Sequence, residues 1–156
     1  MPARTLASLL SPERIRVGLE AASKDDLLQR LVELAATHES VVDPARVLRD
    51  VQAREDKLST GVGNGLALPH ARTLVDESLC VLATLRQPVD FEALDGEPVR
   101  LVLLLVGPEA DRSAHLHILG RVSRVLSDPK VHQALADATT PEDVLATVRD
   151  AEAGLG

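Results

Sequence analysis

Two nearly uninterrupted apolar runs, LCVLATL over Leu79–Leu85 and LVLLLV over Leu101–Val106, limit what this chain can fold into more than any other feature. A strand with one face in water alternates apolar and polar residues, and these runs do not. Each therefore has to be covered on both faces, as in a sheet held between two layers of helices. Neither run approaches the roughly 18 apolar residues of a membrane-spanning helix.

Helical segments lie on both sides of the runs. Ser23 with Asp26 three residues on forms a capping box ahead of Leu27, Leu28, Leu31, Val32, Leu34 and Ala35, which predicts an amphipathic helix to about His38. His38, beside Glu39, reads as a surface cation complementing the dipole at that helix end. Asp43 as N-cap and Pro44 at the first helical position open a second helix, with Val47, Leu48 and Val51 facing inward and Arg54 continuing their stripe. Beyond the second run, Gly107-Pro108 ends the strand and a third helix starts at about Asp111 or Ser113. Its apolar face carries Ile118, Leu119, Val122, Val125 and Leu126. Two shorter helices follow, capped by Asp128-Pro129 and Thr140-Pro141 and packed through Val131 and Leu135 and through Val144, Leu145 and Val148.

Earlier in the chain, Leu6–Leu10 is a short apolar segment and Ile15–Leu19 alternates like a strand. Between the two runs, Val89-Asp90-Phe91 reads as an edge strand and Asp95-Gly96 as a turn. The expected architecture is one α/β domain over residues 1–156: a three-layer sandwich, with a mixed central sheet of about five strands flanked by helices on both faces. Residues 151–156 are small and are expected to fray.

The 156 residues are 45% hydrophobic and 26% charged, enough for a globular domain that buries about two-thirds of its unfolded surface. Phe91 is the only aromatic residue. The core must then be aliphatic, and the chain offers no platform on which bases could stack. A net charge of -7 further disfavours nucleic acid as a partner. Met1–Leu10 lacks an apolar h-region and a small-residue cleavage site, so no signal peptide is expected. A single cysteine, Cys80, cannot form an internal disulfide, and the expected compartment is the cytoplasm.

Between helix and sheet lies the run Arg54–Arg72, REDKLSTGVGNGLALPHAR. Glycine at positions 61, 63 and 65 removes Cβ crowding and lets the backbone approach whatever sits against it, which points to a site. A nucleotide-phosphate cradle is disfavoured, because the run lacks the GK[ST] ending of a P-loop and the GxGxxG spacing. Both motifs also need a helix right after the glycines, and Pro69 disfavours helical geometry at Leu68. What remains is His70, an imidazole on a rigid extended segment, suited to nucleophilic, acid/base or metal chemistry near neutral pH. A metal site from His70, His115 and His117 is weak. Residues two apart on a helix diverge by about 200°, so only one of the latter pair faces inward, and the stripe selects His115. Arg54 is open to three readings: a clamp on phosphate oxygens, which we favour, a structural ion pair, or a cation at the helix C-terminus.

The string Arg54-Glu55 followed by Ser59-Thr60-Gly61-Val62-Gly63-Asn64-Gly65-Leu66-Ala67-Leu68-Pro69-His70 resembles the phosphorylation-site signature of the enzyme IIA domains of the bacterial phosphotransferase system. The likeness is strongest to the fructose/mannitol type and its nitrogen-regulatory branch. It extends over nearly the whole chain, including His115 in His-Leu-His-Ile-Leu where the family has His-Leu-x-x-Leu. The resemblance implies that His70 attacks the phosphohistidine of the carrier HPr, or of its nitrogen-branch paralogue, through Nε2 while its Nδ1–H is held by a hydrogen bond. His115 and Arg54 would hold the equatorial oxygens of the phosphoryl group, helped by the hydroxyls of Ser59 or Thr60 and the N–H groups around Gly61, Gly63 and Gly65. No metal or nucleotide cofactor is needed, since the donor phosphoramidate carries the free energy.

The Ser-Thr-Gly-x-Gly-Asn-Gly form, without a fused IIB or IIC region, tilts the expectation toward the nitrogen-regulatory kind, with a regulated transporter or kinase downstream. The alternatives are a sugar-uptake IIA that passes phosphate to a separate IIB domain, and a binding module toggled by phosphorylation.

Overall fold

The computed structural model describes residues 5–154; the first four residues of the leader and the last two of the tail lie outside them. Short 3-10 turns at Ala7–Leu9 and Pro12–Arg14 lead into β1 (Ile15–Leu19), and α1 (Lys24–Ala35) and α2 (Pro44–Lys57) follow. Three short strands come next, β2 (Gly61–Gly63), β3 (Leu66–Ala67) and β4 (His70–Thr73), and then the two long ones, β5 (Leu79–Val89) and β6 (Val99–Pro108). Helices α3 (Arg112–Leu126), α4 (Pro129–Asp137) and α5 (Pro141–Ala153) complete the chain.

The sheet is mixed, in the order β1-β5-β6-β3-β2, with β4 also paired to β6. β5 and β6 are antiparallel, whereas β1 runs parallel to β5, and β3 and β4 run parallel to β6. β3 and β4 lie end to end along one edge of β6, at Leu101–Val102 and Leu105–Pro108. Leu68-Pro69 separates them, although the Pro69 carbonyl still accepts from Leu105 N–H at 3.0 Å. Six strands thus occupy five positions across the sheet.

Side chains alternate along a strand, and β6 shows what that does to an all-apolar run. Val102, Leu104 and Val106 join one buried cluster with Leu27, Leu31, Val47 and Val51 from α1 and α2. Leu101, Leu103 and Leu105 join a second with Ile118, Val122, Leu135, Val144 and Val148 from α3, α4 and α5. These are the three layers expected.

Several local expectations change. β5 runs on to Val89, which pairs with Val99, so Val89-Asp90-Phe91 forms no separate strand. Phe91 is instead a fully buried loop residue with the Lys24 ammonium 4.6 Å from its ring centroid. Helix α1 ends at Ala35, and His38 pairs through Nε2 with Glu77 at 3.2 Å while its Nδ1 accepts from Ser40 N–H. Residues 151–153, expected to fray, are the last turn of α5. Glu152 anchors them: it is buried, accepts from Leu6 and Ala7 N–H at 2.7 and 2.8 Å, and pairs with Arg121 at 2.7 Å. Among the described residues no helix is long and apolar enough to cross a membrane.

Candidate functional site

The register of β4 aims His70. It pairs with Leu105, whose side chain points toward α3, while its neighbour Ala71 pairs with Val106 and points toward α1 and α2. His70 therefore projects toward the α3 layer. Asp111 caps α3 by accepting from Ala114 N–H at 3.1 Å, and one turn in, His115 faces inward with 5% of its surface exposed. His117 is exposed on the opposite face. His115 Nε2 lies 3.4 Å from His70 Nδ1, and the ring centroids are 5.4 Å apart at an interplanar angle of 54°.

His70 is held neutral. Burial lowers its pKa most, the charge of Arg54 and, whenever it is protonated, that of His115 push in the same direction, and the total brings it from 6.5 to about 4 despite an opposing contribution from Glu55. Burial also lowers the pKa of His115, with a further push from Arg72. At pH 7 the pair is two neutral imidazoles.

Arg54 reaches this site by its electric field and is half-buried at the end of α2, where its Nη1 donates to the Leu58 carbonyl at 3.0 Å. It does not continue the buried stripe of the helix. Val47, Val51 and Glu55 do, at i, i+4 and i+8. Glu55 is the buried charge here: it pairs with Lys24 at 2.9 Å, accepts from Thr60 N–H at 2.8 Å and takes a short hydrogen bond from the Thr60 hydroxyl.

The glycines have structural roles. Asn64 and Gly65 have φ of 57° and 81°, the left-handed pair of a type I′ turn, and join β2 to β3 as an antiparallel hairpin. A β-carbon on Gly61 would lie 2.7 Å from that of Ala93, so the close approach inferred from the spacing is to the loop after β5. The Ser59 hydroxyl donates to the Phe91 carbonyl at 2.9 Å and accepts from Gly61 N–H. The Gly65 carbonyl accepts from Arg100 and Leu101, whereas His70 pairs with Leu105. Gly63 and Gly65 thus sit about 13 Å along the strand from His70, at about 3.3 Å per residue. His70, His115 and the charge of Arg54 are brought together, the hydroxyls of Ser59 and Thr60 are engaged in backbone and carboxylate contacts, and the hairpin tip is remote.

Three residues at the site were not singled out in the sequence. Arg72 donates to the Glu109 carbonyl at 2.9 Å, Gly107 lies against His115, and Ser78 lies against Gly107. Only Gly107 left a trace, and it reads there as the end of a strand.

Comparison with known proteins places this geometry in a family. The family model described as phosphoenolpyruvate-dependent sugar phosphotransferase system, EIIA 2, matches residues 8–151. The nitrogen regulatory protein of Pseudomonas aeruginosa is 35% identical over 150 residues, 96% of this chain and 97% of the relative. A fructose-specific EIIA component of Haloferax volcanii is 32% identical over 152 residues, 95% of this chain and 99% of the relative. Among solved structures, the nitrogen regulatory protein IIA-Ntr of Neisseria meningitidis superposes with a TM-score of 0.86 at 31% identity, covering 91% of this chain and 97% of the other. The chain belongs to the EIIA 2 family of the phosphoenolpyruvate-dependent sugar phosphotransferase system.

Proposed function

We propose that this chain is a cytoplasmic phosphoryl carrier of the nitrogen-regulatory kind, charged on Nε2 of His70 by the phosphohistidine of HPr or of its nitrogen-branch paralogue. The observation that carries this reading is the imidazole pair. His70 is neutral, its Nδ1 faces His115 at 3.4 Å, and no described residue hydrogen-bonds its Nε2. The Nε2 lone pair forms the new N–P bond as the P–N bond of the donor breaks and returns its electron pair to the donor imidazole. Charge in the loose transition state lies on three equatorial oxygens, so the protein's task is positioning and neutralisation. The arriving dianion raises the pKa of His115 and draws a proton onto it, and Arg54 supplies a permanent positive charge. Ser59, Thr60 and Gly61 hold the segment that presents His70, so the phosphate shell in this reading consists of His115 and Arg54.

Incubation with phosphoenolpyruvate, enzyme I and HPr should add one phosphoryl group to the wild type and none to His70→Ala. Equal labelling of that variant would end the proposal. His115→Ala should fold and accept phosphate about 100-fold more slowly, the usual loss of one preorganised donor at a developing anion.

Similarity to a fructose-specific relative supports a second reading, sugar uptake, in which phosphate passes on to a separate IIB domain. Quantitative transfer to a fructose-type IIB would favour it. A regulated transporter or kinase retained by only one phosphorylation form in a pull-down would favour the regulatory role, since phosphate adds nearly two negative charges at one spot.

A further inference from the structure

The facing imidazoles impose a rule on their protons. With His115 Nε2 and His70 Nδ1 3.4 Å apart, one nitrogen carries the hydrogen and the other the lone pair. If His70 donates, its Nε2 is a bare nucleophile and His115 holds its own hydrogen on Nδ1. If His115 donates, the hydrogen of His70 sits on Nε2 and blocks attack. Whatever meets His115 Nδ1 therefore selects between a ready and a blocked site.

His115 Nδ1 is buried and has no hydrogen-bond partner among the described residues, an arrangement that disfavours the folded state unless an acceptor or donor turns toward it. It lies against Gly107, where a β-carbon would come 3.2 Å from Nδ1 and 2.9 Å from Ser78 Oγ. The absent side chain leaves one small gap between ring nitrogen and hydroxyl. Ser78 is half-buried and lines, with Asp76 and Asp111, a cavity of about 510 Å³ open to solvent.

We propose that Ser78 is the positioning residue of this site: turned about χ1 over the Gly107 backbone, its Oγ accepts the hydrogen of His115 Nδ1. Its own O–H then points into the solvent-open cavity, so the hydroxyl has an outlet for its hydrogen, whereas no described residue hydrogen-bonds the buried nitrogen. His115 is held in the tautomer whose Nε2 accepts, His70 donates from Nδ1, and Nε2 of His70 stays bare. When the N–P bond forms, the His70 ring becomes positive and its Nδ1 hydrogen moves toward His115 Nε2. His115 then carries hydrogens on both nitrogens, and Ser78 already receives the second. This mechanism rests on the phosphoryl-carrier reading; the tautomer itself does not.

Two-bond proton–nitrogen correlation spectra of the 15N-labelled, unphosphorylated protein at pH 7 test it. Wild type should show His115 protonated on Nδ1 and His70 on Nδ1. Ser78→Ala and Gly107→Ala should shift population toward the other tautomers and slow phosphate acceptance about tenfold, the equivalent of one neutral hydrogen bond. Ser78→Thr, which keeps the hydroxyl, should restore both readouts. A wild-type His115 protonated on Nε2, or Ser78→Ala spectra unchanged in tautomer, would overturn the role of Ser78 even if transfer slowed. Wild-type protein with the stated tautomers that accepts no phosphate would reject the carrier reading and leave Ser78 in place.

Discussion

At the scale of single residues, the site is a base kept neutral by its surroundings. The pKa of His70 is depressed to about 4, so the nucleophilic form dominates well below neutrality. With a purified phosphorylated donor and rapid quenching, the acceptance rate should stay nearly level from pH 8 to about 5 and fall only as pH nears 4. A rate that halves near pH 6.5 would show an unperturbed imidazole. The same shift acts on stability. The unfolded chain protonates His70 near 6.5 and the folded chain only near 4, so the unfolded state binds more protons in that window. Stability should therefore drop as pH falls from about 6.5 to 4, and His70→Gln should lose less over that range in urea titrations. His115 against His117 was legible in the sequence, because 100° per residue is local geometry. The orphan Nδ1 of His115 was not, since Gly107 and Ser78 come from other elements.

Among elements, the end of α2 and the hairpin that follows carry the active segment into place. Glu55 ties α1 to this junction through Lys24 and to the chain before β2 through Thr60. Glu55→Ala leaves Lys24 and the Thr60 N–H without that partner and should lower stability by about 3 kcal/mol, typical of a broken buried pair. Loss of less than about 1 kcal/mol in denaturant unfolding would show the junction to be held otherwise. Gly61→Ala should cost about 1–3 kcal/mol by forcing Ala93 away. Helix caps were legible: Asp43, Asp128 and Thr140 cap as their positions suggest. The choice between Arg54 and Glu55 was not. Their directions on the helix differ by only about 100°, and the packing of α1 and the β5–β6 loop decides which one is buried.

Over the whole molecule, a sheet covered on both faces is what two apolar runs require, and the order of helices before and after them divides the helices between the faces. Leu104, 1% exposed beneath α1 and α2, should cost about 2–5 kcal/mol as Leu104→Ala. The same depth of burial explains why Cys80 is inert: its thiol pKa is pushed up by burial. The glycine-rich run was legible only in part at this scale. Spacing reveals that something comes close, and only the fold reveals that Ala93 is opposite Gly61. The continuity of β3 and β4 along β6 was likewise invisible, as pairing across a sheet leaves no local mark on two-residue strands. Phosphate is the central claim and its address is measurable. Tandem mass spectrometry of protein charged by phosphorylated HPr and digested at alkaline pH should find one phosphoryl group on the peptide containing His70, with nitrogen–phosphorus coupling assigning it to Nε2; phosphate on His115, on His117 or on no histidine would contradict it.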